Sequence, residues 1–84
     1  MTEQQILEEV RKVMREHLEI ASPVALATDL TRDLQLDSLK QLTFVVELEN
    51  QFRICFDAGD EEGLVTVGDV VALIGRRLAE RPDA

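Results

Sequence analysis

The chain predicts a small all-α fold, a bundle of three main helices and one short one. Three observations carry that prediction. Apolar residues recur at helical spacing in three separate segments. Two of those segments open on a threonine followed three residues later by a side chain able to reach back to it. Apolar residues make up 45% of the 84 and charged residues 31%, the balance of a globular domain rather than a disordered chain. At this length the whole of 1–84 reads as one domain, burying about 60–65% of its unfolded surface. Such a chain fills a small core but hardly encloses a large active site. Phe44, Phe52 and Phe56 are its only aromatics, so the core must be built from Leu, Ile and Val.

The elements follow in order. Thr2 and Gln5 stand in capping-box spacing ahead of Ile6, Leu7, Val10, Val13, Met14 and Leu18, which predicts a helix over about 3–19. Ser22-Pro23 ends it. A linking stretch runs to Asp37, with Val24, Leu26, Leu30 and Leu34 available as anchors; it is long for a helix–helix connection, and such loops often carry function. The second helix spans about 38–52. Gly59 and Gly63 break the next segment, leaving room for a short turn near 60–63. Thr66 and Asp69 repeat the start signal, and Val67, Val70, Val71, Ile74 and Leu78 stripe a last helix over 66–79. The tail 80–84, which contains Pro82, should fray.

Charge narrows the function classes. Nine Lys and Arg face seventeen Asp and Glu, a net charge of −8 that repels nucleic-acid phosphates and anionic lipid and suits partners with basic patches. The single Cys55 excludes an intramolecular disulfide and fits a reducing compartment. The longest apolar run, Val70 to Ile74, is too short for a membrane span, and the polar, acidic N-terminus is no signal peptide. Cytoplasm is the expected location. Met1 and the capping residues just behind it point to a free-standing chain.

The second helix carries more apolar surface than one core contact needs. At 100° per residue, Phe44, Leu48 and Phe52 fall within about 80° of one another, with Val45 beside them. Leu39, Leu42 and Val46 form a second cluster on a different face. The aromatic stripe is the better core candidate. The other would then lie near the surface beside Ser38, as an apolar patch with a polar rim, which marks a docking site. The alternative, that neighbouring helices cover both stripes, stays open at this point.

Ser38 admits three readings: helix cap, nucleophile or attachment point. Asp37 can do the capping, which leaves the Ser38 hydroxyl in the first turn, pointing outward. A serine nucleophile needs a base held by a third group and a strained turn, yet Gln35-Leu36-Asp37-Ser38-Leu39 contains no glycine. His17, the only histidine, sits on the first helix and reads as a partly buried surface residue rather than a base. Attachment remains: a phosphodiester there would meet the favourable end of a helix dipole.

"DLQLDSLKQLTFVVELENQF" resembles the segment of acyl carrier proteins that bears 4′-phosphopantetheine, and the resemblance covers most of the chain. It includes Asp33-Leu34, the Asp-Ser-Leu triplet itself, Glu47-Leu48-Glu49, Phe52 and the start Thr66-Val67-Gly68-Asp69. In that family the serine is esterified by a phosphopantetheinyl transferase using coenzyme A. The resemblance therefore implies Ser38 as the attachment site, with Asp37 and Leu39 beside it as contacts for the transferase and pathway enzymes. It implies partner contacts at Asp37, Leu39, Leu42, Val46, Glu47 and Glu49, and core positions at Phe44, Leu48 and Phe52. The implied function is to carry acyl intermediates as thioesters between enzymes of fatty-acid, specialised lipid or polyketide biosynthesis, without catalysis by the chain itself. The implied partners are a phosphopantetheinyl transferase and acyl-loading and acyl-processing enzymes with basic docking patches, engaging a monomer.

The chain departs from that family at several places. Lys40 and Thr43 stand where acids are frequent, as do Asn50 and Gln51, and Gln35 and Leu36 replace small residues before the triplet. Because rim charges govern on-rate and partner choice, a dedicated partner set is expected. The paired glycines usual in peptidyl carriers are missing, which favours acyl over aminoacyl cargo. An aminoacyl or peptidyl carrier and a cofactor-free acidic adaptor remain the competing readings.

The remaining candidates are weaker. "DAGDEEG", Asp57 to Gly63, fails the calcium-loop pattern, with Gly59 at the third position and Glu62 at the sixth, and reads as a solvated acidic loop. Cys55, between Ile54 and Phe56, reads as a small buried hydrophobe, and no metal site is expected. Met14 is core filler. Arg76 and Arg77 complement the dipole at the end of the last helix.

Overall fold

The computed structural model describes residues 1–20 and 23–80. Helix α1, Glu3–His17, begins as its capping box dictates. Thr2 Oγ1 accepts the Gln5 N–H at 3.2 Å, and Gln5 Oε1 accepts the Thr2 N–H at 2.8 Å. Its stripe of Ile6, Leu7, Val10, Val13 and Met14 is buried. The helix stops two residues short of the predicted end. Leu18 turns its N–H onto the Met14 carbonyl, Glu19 enters the left-handed region at φ 57°, and the Ile20 N–H reaches the same carbonyl at 3.1 Å. Local backbone geometry thus ends α1 before Pro23 can. Ser22 lies outside the described residues.

Helix α2, Ser38–Phe52, has the predicted bounds. Arg53, at φ 55°, ends it, and the Ile54 N–H bonds the Glu49 carbonyl at 3.1 Å, with Ile54 buried against the core. That six-to-one bond and its apolar contact form a Schellman ending. Helix α3, Ala58–Glu62, starts two residues earlier than the predicted turn, because Asp60 folds back to accept the Asp57 N–H at 2.8 Å. Helix α4, Val67–Ala79, uses Thr66 as its cap rather than its first residue; Thr66 Oγ1 accepts the Asp69 N–H, and Asp69 Oδ2 accepts the Val65 and Thr66 N–H groups at 3.0 Å. Glu80 closes α4, and the rest of the tail expected to fray, 81–84, lies outside the described residues.

Helix α1 packs on α2 and α4. Their facing stripes interlock with Val24, Leu30 and Leu36 of the linking stretch and Ile54 beyond α2 to make one core, aliphatic but for Phe44 and Phe52, while Leu26 and Leu34 pack half-buried at its edge. Two contacts hold the linking stretch in place. Arg11 of α1 donates from Nε to the Val24 carbonyl at 2.8 Å. Farther along, an isolated antiparallel bridge pairs Asp29 with Thr66; the Leu30 N–H bonds Val65 O at 2.9 Å and the Val67 N–H bonds Thr28 O at 2.9 Å. The start of α4 and the approach to α2 are therefore one structural unit.

Candidate attachment site and docking face

The approach to Ser38 is built by Asp29. Its carboxylate accepts the Thr31 and Arg32 N–H groups at 2.9 and 2.7 Å, while its own N–H donates to Asp33 Oδ2 at 2.8 Å. The coil this makes brings Leu34 back onto the core, and Gln35 then takes φ 55° to redirect the chain. Leu36 follows, 3% exposed, with its N–H on the Leu30 carbonyl at 3.1 Å. The residue immediately before the Asp-Ser pair is thus pinned in the core.

From that anchor the chain steps outward. Asp37 Oδ1 accepts the Lys40 N–H at 2.9 Å and caps α2. Ser38 is exposed in the first turn, as expected once Asp37 takes the cap. Next to it opens a cavity of about 340 Å³ lined by Leu30, Ser38, Gln41, Leu42, Phe44, Val45 and Leu64. Ser38 and Gln41 supply polar groups, and the other five residues are apolar. The Gln41 amide donates to the Leu36 carbonyl at 3.3 Å, holding it against the same anchor.

The two stripes of α2 separate as the wheel predicts. Phe44, Val45, Leu48 and Phe52 are buried, whereas Leu39, Leu42 and Val46 are 71%, 57% and 42% exposed. An exposed apolar row of this kind beside Ser38 is a surface that water leaves readily when a partner covers it. Thr43, on the same side, turns its hydroxyl onto the Leu39 carbonyl at 3.1 Å.

The acids of α2 have intramolecular partners. Glu47 Oε2 lies 3.2 Å from His17 Nε2 of α1, and Glu49 Oε2 accepts the Phe56 N–H at 2.8 Å. His17 is exposed rather than partly buried, and it links α1 to α2. Gln51 of α2 adds a second link, donating to Glu9 Oε2 of α1 at 2.7 Å.

Other expectations need correction. Cys55 is exposed, not a buried hydrophobe: the chain leaves α2 through the left-handed Arg53, which turns Ile54 inward and its successor outward. The acidic loop is not simply solvated. Asp57 and Asp60 meet the half-buried Arg77 guanidinium, Asp57 at 3.2 Å, and Glu80 meets it at 3.1 Å. Arg77 therefore ties α3 to α4 instead of only answering a helix dipole. The Arg77 bond and the Asp57 N–H hold the Asp60 carboxyl below the ordinary aspartate range. The Thr66 and Val65 N–H groups do the same for Asp69.

Gln41, Leu30 and Leu64 complete the cavity but are not singled out by the sequence. Leu30 reads only as an anchor of the linking stretch, and local spacing gives Gln41 and Leu64 no role. Their convergence depends on the Asp29–Thr66 bridge, a pairing with no signature in local spacing.

With this geometry established, similarity to known proteins is informative. Residues 5–74 match the family model described as "Phosphopantetheine attachment site". An acyl carrier protein of Exiguobacterium sp. is 39% identical over 79 residues, covering 93% of this chain and 100% of that protein. One from Kineococcus radiotolerans is 36% identical over 76 residues, covering 89% and 94%. A solved structure of a protein from Mycobacterium tuberculosis superposes with a TM-score of 0.75 at 28% identity, covering 88% of this chain and 95% of that one. The all-α fold, the capped serine and these relatives agree: the chain belongs to the phosphopantetheine-attachment family of acyl carrier proteins.

Proposed function

We propose that Ser38 is the residue esterified by 4′-phosphopantetheine, and that the chain serves as a substrate-bearing module and catalyses nothing itself. One observation supports this above the others: an exposed serine in the first turn of a helix capped by its neighbour Asp37, at an apolar cavity. The residues present suit the group. The N-terminus of α2 favours a phosphodiester, and Leu36 and Asp37 keep the helix end from unwinding beneath it. When bound, the group supplies a thiol on a long arm, on which acyl chains are held as thioesters. Leu30, Leu42, Phe44, Val45 and Leu64 offer an apolar lining that suits an acyl cargo better than an aminoacyl one.

The partners we assign are the phosphopantetheinyl transferase and the enzymes that load and process the cargo. Asp37, Leu39, Leu42 and Val46 form the docking face, with Glu47 and Glu49 at its edge offering charge to basic patches while holding His17 and the Phe56 N–H. Lys40 and Thr43 near the site support a dedicated partner set in a specialised lipid or polyketide pathway rather than the general fatty-acid one. A cytoplasmic setting is in keeping with one unpaired cysteine and, among the described residues, no helix long and apolar enough to cross a membrane.

The test is intact mass after incubation with coenzyme A and a broad-specificity transferase. A gain of one phosphopantetheinyl group in the wild type, lost in Ser38→Ala, is the expected result. An unmodified wild type, or a modified Ser38→Ala, refutes the assignment.

A further inference from the structure

Val65 lies between α3 and α4 and is 55% exposed. A single exposed valine is ordinary on a protein surface. This one differs in what it adjoins. Its neighbour Leu64 lines the same cavity as Leu42 and Ser38. Leu64 and Val65 together line a second depression with Asp29, Thr31 and Arg32. The cavity beside Ser38 is therefore walled by apolar residues of two segments, Leu42 of α2 and Leu64 of the α3–α4 connection; exposed Leu39 and Val46 flank the first, and exposed Val65 follows the second. Ser38 thus shares its cavity with two apolar banks, one on each segment.

Backbone contacts fix the second bank and leave its side chain free. The Val65 carbonyl accepts the Leu30 N–H at 2.9 Å, and its N–H donates to Asp69 Oδ2 at 3.0 Å. Both bonds use main-chain atoms, so the valine side chain faces solvent without supporting the fold. An exposed apolar side chain on a doubly tethered backbone is preorganised for contact, because little further ordering is needed on binding.

We infer that Val65 is a docking residue, and that the transferase acting on Ser38 grips the carrier through apolar contacts on both banks, α2 and the α3–α4 connection. The inference rests on the Ser38 assignment. The enzyme must bring the diphosphate of coenzyme A to the Ser38 Oγ. There the new Oγ–P bond forms as the phosphoanhydride P–O bond breaks, a nucleoside bisphosphate leaves and the hydroxyl proton passes to a base on the enzyme. A protein that reaches Ser38 closely enough for this covers the cavity mouth, and with it both banks.

The experiment compares wild type, Leu42→Ala and Val65→Ser as substrates of a broad-specificity phosphopantetheinyl transferase with coenzyme A, alongside thermal melts. Val65→Ser is expected to melt with the wild type while raising the KM for the carrier roughly threefold to tenfold, the loss of one apolar interface contact. Leu42→Ala is expected to raise KM as well. An unchanged KM in Val65→Ser, or a change confined to kcat, overturns the inference while leaving Ser38 in place. A wild type that takes up no phosphopantetheinyl group overturns both.

Discussion

Among the described residues, three other than glycine hold a positive φ: Glu19, Gln35 and Arg53. Each costs on the order of 1 kcal/mol relative to a residue without a Cβ, and each redirects the chain where an element ends or begins. Gln35 is the instructive one. The chain must turn there to drive Leu36 into the core. Replacing Arg53 by Gly at the Schellman position is expected to stabilise the protein by about 1 kcal/mol, or roughly 4–8 °C in Tm for a domain this small. Gln35→Gly, at the same φ, should shift Tm in the same direction, both gains being net of the entropy that glycine adds to the unfolded chain. Paired thermal melts of the two variants check both.

Among elements, α3 depends on charge as α1 and α4 do not. It is only five residues long, and Arg77 fastens it through Asp57 and Asp60. The carboxyl of Asp60 titrates below the ordinary aspartate value of about 3.9, as does that of Asp69 at the start of α4. A lowered folded-state value means that these contacts contribute in full above the unfolded value and lose their contribution as pH falls through the folded one. Melting temperature should therefore hold from neutral pH down to about pH 5 and decline below about pH 4. Asp60→Asn should melt lower at pH 7 and show a shallower acid decline. Equal acid slopes in the two proteins would show that Asp60 has no part in it. The sequence makes the long helices legible because spacing and caps are local signals, and α2 keeps both its predicted ends. It does not reveal the Arg77 cluster. That pairing joins positions 17 and 20 residues apart, and only the packing of α3 on α4 brings them together.

For the whole molecule, one core is shared by α1, α2, α4 and the approach to Ser38, so a defect anywhere in it should be felt at the site. Leu48 is fully buried on α2, the helix that presents Ser38. Leu48→Ala is expected to cost about 2–5 kcal/mol, a large share of the stability of a small domain. Urea titration should show the midpoint fall with little change in slope. At this scale the reading of α2 from sequence succeeds for a physical reason: a helix with two apolar stripes in so short a chain had one face left over, and Leu39, Leu42 and Val46 are that face. The cavity walls stay hidden until the fold is known, because Leu30 and Leu64 are 34 residues apart in sequence and meet only through the backbone bridge at Asp29 and Thr66.

The outward turn at Cys55 has a practical consequence. It is the only thiol in the unmodified chain and is accessible, and it lies just past the opposite end of α2 from Ser38, about 20 Å along a helix of 15 residues. A fluorophore fixed there becomes a molecular ruler. Energy transfer to a dye carried in place of cargo on the tether proposed at Ser38 would distinguish a stowed tip from one swung outward, in a single labelled molecule.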